Sequence, residues 1–431
     1  MHAIAAQPAV GLRNTRAGIV ALMFSYSVMS YFDRTIMSIA GPSIIKEFRL
    51  SETEMGVVYS AFILSYALLM IPGGHLADRF GPRLVLSVMG LGAAAFTALT
   101  ALAGSSVFHG WLGVIPSFVL IRLAMGVVTS PLYPACGRMN ANWLPLTQRA
   151  RAQGIVVAGA GVGGALSPIL FSRLIAAYGW RTAFYAAALA TAALAAVWHW
   201  YARDYPPKAE PKTGLSGLAG HSGPPGEWRQ LFANRNLVLL TAGYFALDYF
   251  EYIFFYWLYY YLGEIRKLGA AQSAVYTTVL FVAWMVMSPL RGWVSDRLVR
   301  RYGRSRGLRI VPMIGLVTSA ALLFLAVNTE SIQIMVGLLS LSLGFASAAE
   351  APFWTAAIEA GGNRVGAACG IFNSGGNVGG FLAPIVTPWI ASRAGWSWGL
   401  YFGCGMVLVA TAVWPFVDLG RQAEGQTRAG G

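Results

Sequence analysis

The chain is a succession of long apolar runs separated by short polar stretches. Six runs lie near residues 17–40, 55–73, 83–104, 111–137, 152–176 and 180–202, and six more near 237–262, 273–293, 308–328, 332–358, 366–391 and 396–418. An α-helix needs about 20 apolar residues to cross the hydrocarbon layer, so the pattern predicts twelve transmembrane helices in an all-α integral membrane protein. The first run is too long for a signal-peptide core and has no small-residue cleavage site, so it is expected to remain as a helix. Between the two sets, 204–236 holds five prolines and five glycines with scattered charges, the composition of a solvated linker. The expected organisation is an N-terminal six-helix bundle (1–203), a cytoplasmic linker (204–236) and a C-terminal six-helix bundle (237–431).

The two sets repeat each other. At an offset of 216, Gly154-Ile155 matches Gly370-Ile371, Val162-Gly163-Gly164 matches Val378-Gly379-Gly380, Pro168-Ile169 matches Pro384-Ile385, and Gly179-Trp180 matches Gly395-Trp396. At 218, Gly74, Asp78 and Arg79 match Gly292, Asp296 and Arg297. Parallel repeats of this kind imply two pseudo-symmetric bundles related by an axis along the membrane normal.

Composition agrees: 56% of the 431 residues are hydrophobic and 11% charged, against about 25% charged in a soluble domain. The net charge of +14 would suggest nucleic acid in a soluble protein, so its placement matters. Of the 31 basic residues, 22 fall on the side of the termini and linker, seven on the opposite side and two, Arg34 and Arg122, inside spans. Cationic loops resist translocation, which makes the first side cytoplasmic; the excess is topology, and no nucleic-acid partner is expected. The three cysteines sit in apolar stretches, and no phosphate loop, catalytic triad or metal-ligand spacing occurs. Neither an enzyme nor a metal or cofactor site is expected.

The stretch after the second run reads Pro72-Gly73-Gly74-His75-Leu76-Ala77-Asp78-Arg79-Phe80-Gly81-Pro82-Arg83, with the degenerate copy Gly292-Trp293-Val294-Ser295-Asp296-Arg297 after the eighth. Gly74 permits close helix approach, and Asp78 is placed to meet a helix N-terminus or a basic group and hold one conformation closed. This pattern resembles the major facilitator superfamily, which implies that Gly74, Asp78, Arg79, Asp296 and Arg297 form its conformational gate. A narrower resemblance lies in Tyr31-Phe32-Asp33-Arg34-Thr35, Ala40-Gly41-Pro42, Glu47-Phe48, Ser60-Ala61-Phe62 and Tyr66-Ala67-Leu68, and again in Gly370-Ile371-Phe372-Asn373 and Gly376-Asn377-Val378-Gly379-Gly380. It is similar to the anion:cation symporter family, which includes bacterial importers of sugar acids and aromatic acids and organic-anion carriers of animals.

Ionisable groups inside a bilayer are costly and usually functional. A guanidinium stays charged and grips a carboxylate through two parallel hydrogen bonds, and the resemblance places Arg34 and Arg122 at the basic substrate positions, with Tyr31 and Tyr66 beside them. Asp33 is the leading proton-coupling residue, because burial and a neighbouring arginine act on a carboxyl in opposite directions. The family commonly has a glutamate seven residues after the second arginine; here that position is Thr129, so coupling is reduced, relocated or absent. Asp248 and Glu251, three residues apart on one face of helix 7, and Glu350 in helix 10 are the candidates for relocation, since two acids on one face in low dielectric seldom both ionise. Asn373 and Asn377 are candidate substrate contacts. Gly159, Gly161, Gly163 and Gly164, with Gly375, Gly376, Gly379 and Gly380, offer close backbone contact, and Trp257-Leu258-Tyr259-Tyr260-Tyr261 reads as an interfacial aromatic belt.

The resemblance implies a monomeric inner-membrane transporter with both termini cytoplasmic, importing a small organic anion by proton symport and alternating access. The excess of acids leaves open a zwitterionic or cationic solute, and the missing glutamate leaves open uniport. A membrane sensor would carry an appended cytoplasmic domain, for which the linker is too short.

Overall fold

A computed structural model describes residues 9–105, 113–206, 231–362 and 365–418. Among them are twelve long helical segments: α1 (Ala9–Phe48), α2 (Glu52–Phe80), α3 (Pro82–Leu102), α4 in two pieces, α4a (Val114–Thr129) and α4b (Leu132–Trp143), α5 (Leu146–Tyr178), α6 (Trp180–Tyr201), α7 (Arg235–Tyr260, extended by a π-helical turn over Tyr261–Ile265), α8 (Gly269–Tyr302), α9 (Arg304–Val327), α10a (Ile332–Ser347), α10b (Glu350–Gly361), α11 (Val365–Ala394) and α12 (Trp396–Ala412). Ten are long and apolar enough to cross a membrane. The other two, α1 and α11, match them in length but carry Asp33 and Arg34, or glycines, prolines and asparagines, in their runs. Most of 204–236 lies outside the described residues.

The helices run further than the apolar runs. The glycine-rich stretch after the second run is helical as far as Phe80. The chain turns only at Gly81, where φ is +84°.

The repeat is a repeat of backbone devices. Gly179 (φ 81°, ψ 161°) and Gly395 (φ 93°, ψ 157°) precede α6 and α12 in the same conformation, a region essentially reserved for glycine. The breaks in α4 and α10 also correspond. A proline ring inside a helix clashes with the carbonyl four residues back; for Pro134 that residue is Ser130, and for Pro352 it is Ala348. Both helices are interrupted there, at 130–131 and 348–349. The second break makes Glu350 the first residue of α10b.

By spatial proximity the chain forms two compact units. One comprises 1–36, 65–167 and 174–219; the other comprises 37–64, 168–173 and 220–431. In the first, glycines of α5 meet the α1 backbone: a Cβ on Gly159 would stand 2.6 Å from the Phe24 carbonyl oxygen, and one on Gly163 would stand 2.6 Å from that of Val28. In the second, a Cβ on Gly379 would lie 2.0 Å from the Phe245 carbonyl oxygen on α7. The helix-7 aromatic run is packed inside this unit, so the expectation of an interfacial belt is corrected. Trp257 is fully buried and donates Nε1–H to the Pro384 carbonyl at 3.1 Å, while Tyr260 donates its hydroxyl to Glu52 Oε1 at 2.6 Å.

Candidate functional site

In the first unit, successive residues of α1 face different surroundings because each step along a helix turns the side chain by about 100°. Asp33 points into the bundle and is 1% exposed. Its backbone carbonyl accepts from Arg122 Nη1 at 3.3 Å, and its Oδ2 accepts from Thr191 Oγ1 on α6 at 3.4 Å. Thr97 on α3 faces the same carboxyl. Four helices therefore converge on one acid. Arg122 is 0% exposed and also contacts Met125 Sδ at 3.4 Å; its place is in this knot, beside Asp33.

Arg34, one residue on, is half-buried. Its guanidinium carbon lies 4.3 Å from the Tyr66 ring centroid and 5.3 Å from that of Tyr31. Tyr133, near the start of α4b, lies within electrostatic reach of Arg34, Tyr31 and Tyr66, and its hydroxyl shares a 3.1 Å hydrogen bond with Ser27 Oγ. A permanent cation ringed by three phenols is suited to an oxyanion: the guanidinium supplies charge and paired donors, the phenols further donors. Thr129, in place of the family glutamate, donates its hydroxyl to the Met125 carbonyl of its own helix at 2.8 Å. It is no substitute for an acid.

The residues expected to form the gate in the first repeat lie in the last turns of α2. A Cβ on Gly74 would touch Pro134 at 3.4 Å. One turn later, Asp78 Oδ1 pairs with Arg138 Nη1 at 3.2 Å. Arg79 is exposed, its guanidinium 5.2 Å from the Phe80 ring centroid. In the second repeat Gly292, Asp296 and Arg297 lie within α8; Arg297 is exposed, and the side chain of Asp296 is outside the described residues.

In the second unit the three remaining acids gather around one tyrosine. Asp248 and Glu251 are buried on α7, Glu350 is half-buried, and all three lie within electrostatic reach of Tyr244. The Tyr244 ring stacks on Phe372 with centroids 4.2 Å apart, and its hydroxyl accepts from Trp354 Nε1 at 3.3 Å. Gly376 leaves the space that Asp248 fills, since a Cβ there would lie 2.4 Å from Asp248 Oδ2. Residues 236–265, 332–361 and 365–392 contain no Lys or Arg. Asn377 donates Nδ2–H to the Asn373 carbonyl at 2.8 Å, which commits part of its amide to its own helix. Among the described residues, no group of three or more His, Cys, Asp or Glu is arranged to hold a metal ion.

The model of the Major Facilitator Superfamily matches residues 23–362. The chain belongs to that superfamily. A probable sulfoacetate transporter of Cupriavidus necator is 32% identical over 397 residues, covering 89% of this chain and 88% of the relative. The hexuronate transporter of Bacillus subtilis is 28% identical over 408 residues, covering 93% and 94%. Among solved structures, a bacterial homologue of the human lysosomal transporter Spinster superposes with a TM-score of 0.77 at 16% identity, covering 96% of this chain and 98% of that one. This major facilitator is a multi-pass membrane transporter and not an enzyme.

The structure places Arg34 beside Tyr31 and Tyr66 and gathers Asp248, Glu251 and Glu350 about Tyr244, while Arg122 lies with Asp33. Tyr133, Arg138, Thr97 and Thr191 were missed. Tyr133, Thr97 and Thr191 are ordinary residues of apolar runs and Arg138 is one of many basic residues just past the end of one; only the packing of α3, α4 and α6 on α1 and α2 makes each part of a site.

Proposed function

We propose that this major facilitator imports a small organic anion, a sugar acid or another carboxylate or sulfonate, together with one or more protons by alternating access of its two six-helix repeats. The observation that carries the reading is the α1 dipeptide itself: an acid buried in a polar knot next to a half-buried guanidinium ringed by phenols. Arg34 binds the anionic group and Tyr31, Tyr66 and Tyr133 orient it. Arg122 acts through Asp33, holding the α1 backbone while the carboxyl exchanges its proton. The named activities of the relatives, sulfoacetate and hexuronate transport, support an anionic substrate.

Coupling requires that proton and substrate each prefer one state of the transporter. Asp33 supplies the proton site, and Asp248, Glu251 and Glu350 supplement it where Thr129 stands for the family glutamate. The arginine distribution supports insertion in the inner membrane with both termini cytoplasmic, the protein working as a monomer with 1–203 and 237–431 as its moving repeats. Uptake of labelled sulfoacetate, glucuronate and galactonate into proteoliposomes, with and without an inward pH gradient, tests the whole reading. Gradient-driven accumulation of at least one anion is expected, and Asp33→Asn should abolish accumulation while sparing exchange. Equal accumulation by that variant would refute the assignment.

The lysine- and arginine-free acid cluster around Tyr244 favours a second reading, a zwitterionic solute whose cationic end meets those carboxylates. Competition of uptake by amino acids and betaines, but not by simple sugar acids, would select it.

A further inference from the structure

We infer that Thr97 and Thr191 are positioning residues for Asp33, whose hydroxyls hold its carboxyl in both protonation states and so set the pH at which the transporter loads and releases its proton. The inference rests on the proposed coupling role of Asp33 but names residues that neither charge nor motif singles out. A buried threonine or serine in a helix ordinarily donates to the carbonyl four residues back, and the neighbours of these two do so: Thr100 to Phe96 at 2.8 Å, Thr129 to Met125 at 2.8 Å, Thr35 to Tyr31 at 2.6 Å and Ser87 to Arg83 at 2.8 Å. Thr191 instead turns its Oγ1 to Asp33 Oδ2 at 3.4 Å. Thr97 faces the same carboxyl from α3. Its Oγ1 and Asp33 Oδ1 are both shielded from solvent, and neither is engaged in a well-aligned hydrogen bond among the described residues.

Two hydroxyls reaching one carboxyl from two neighbouring helices match what a proton carrier needs. A hydroxyl both donates and accepts. When Asp33 is ionised, Thr97 and Thr191 donate to its two oxygens. When it is protonated, its own O–H on Oδ1 donates to Thr97 Oγ1, and Thr191 continues to donate to Oδ2. No heavy atom has to leave the knot, and the carboxyl never has to sit beside apolar side chains alone. The charged group facing Asp33 from another helix is Arg122; on its own helix Arg34 is turned to Tyr31 and Tyr66. Neither arginine changes charge in the working range, so the hydroxyls are the adjustable part of the setting.

The test replaces each hydroxyl by an isosteric methyl, Thr97→Val and Thr191→Val, with Thr97→Ser and Thr191→Ser as rescues. Three quantities are read in proteoliposomes: the pH profile of gradient-driven uptake of sulfoacetate or glucuronate, exchange of the same anion at equal pH, and the infrared carboxyl C=O band assigned by its loss in Asp33→Asn. Removing a donor costs the ionised form more than the neutral one. Each valine variant is therefore expected to move the uptake midpoint toward alkaline pH by about half a unit to one unit, to move the pH dependence of the band equally, and to leave the KM for exchange unchanged. Serine restores both. A purely structural role would lower all rates together and leave the midpoint in place. If the valine variants keep the parental pH profile and band while Asp33→Asn loses accumulation, the positioning role is overturned and the coupling role of Asp33 stands. If Asp33→Asn itself accumulates normally, the coupling reading falls and takes this inference with it. Should a valine variant fail to assemble, Thr97→Ala and Thr191→Ala carry the same infrared readout in detergent.

Discussion

Arg34 rests against the faces of two tyrosine rings, and a guanidinium so placed presents its N–H edge sideways as a paired donor. Lysine keeps the charge but loses both the stacking and the fork. Arg34→Lys is expected to raise the KM for the transported anion roughly 10- to 100-fold, the worth of a charge-assisted hydrogen bond, without moving the pH midpoint. Tyr133→Phe, which removes one hydroxyl, should raise it about threefold to tenfold. Initial-rate uptake measures both, and an unchanged KM in Arg34→Lys would remove the guanidinium from the binding site. Arg34, Asp33 and the helix-7 acids were readable because an ionisable residue inside an apolar run advertises its own cost. Thr97, Thr191 and Tyr133 were not, because hydroxyls and phenols are cheap enough to occur anywhere in such runs. Their partners are decided by how each helix is rotated, which no local pattern records.

At the scale of the helix, the close contacts are made by glycine against carbonyl oxygen, and they separate two kinds of glycine that look alike in sequence. Gly379 has a carbonyl oxygen where a Cβ would go, whereas Gly137 and Gly154 have nothing within 4 Å. Gly379→Ala is expected to destabilise the protein by about 1–3 kcal/mol through overpacking, read as a lower Tm in detergent. Gly154→Ala should be neutral or slightly stabilising, since alanine favours the helix; equal effects of the two would contradict the packing described. The α7 aromatics show the same limit from the other side. On a helix that is apolar all round, composition does not distinguish a face toward lipid from a face toward protein, so Trp257 and Tyr260 read as a belt when they are core. The breaks in α4 and α10 fall four residues before Pro134 and Pro352, where a proline ring meets a carbonyl. Proline alone does not decide a break, since α1, α2, α5, α9 and α11 run unbroken through Pro42, Pro72, Pro168, Pro312, Pro384 and Pro388.

For the whole molecule, run lengths and arginine placement carry the topology. Single cysteines at Arg300 and Lys267 in a variant lacking Cys136, Cys369 and Cys404 give the direct check. Arg300 is in the last turn of α8 and Lys267 in the turn between α7 and α8, and both are exposed. The one at 267 should react with a membrane-impermeant thiol reagent applied to intact cells, and the one at 300 only after the cells are opened. The reverse result would invert the orientation. Pro134 and Pro352, and Gly179 and Gly395, recur as pairs, but Arg34 and Arg122 stand opposite Tyr252 and Ser340 at the 218-residue offset, and Glu350 stands opposite Leu132. The two copies thus share their joints and differ in their electrical outfitting. If those ionic groups select the solute as proposed, preference is open to redesign by trading them in one copy, with the mechanical skeleton of both left untouched.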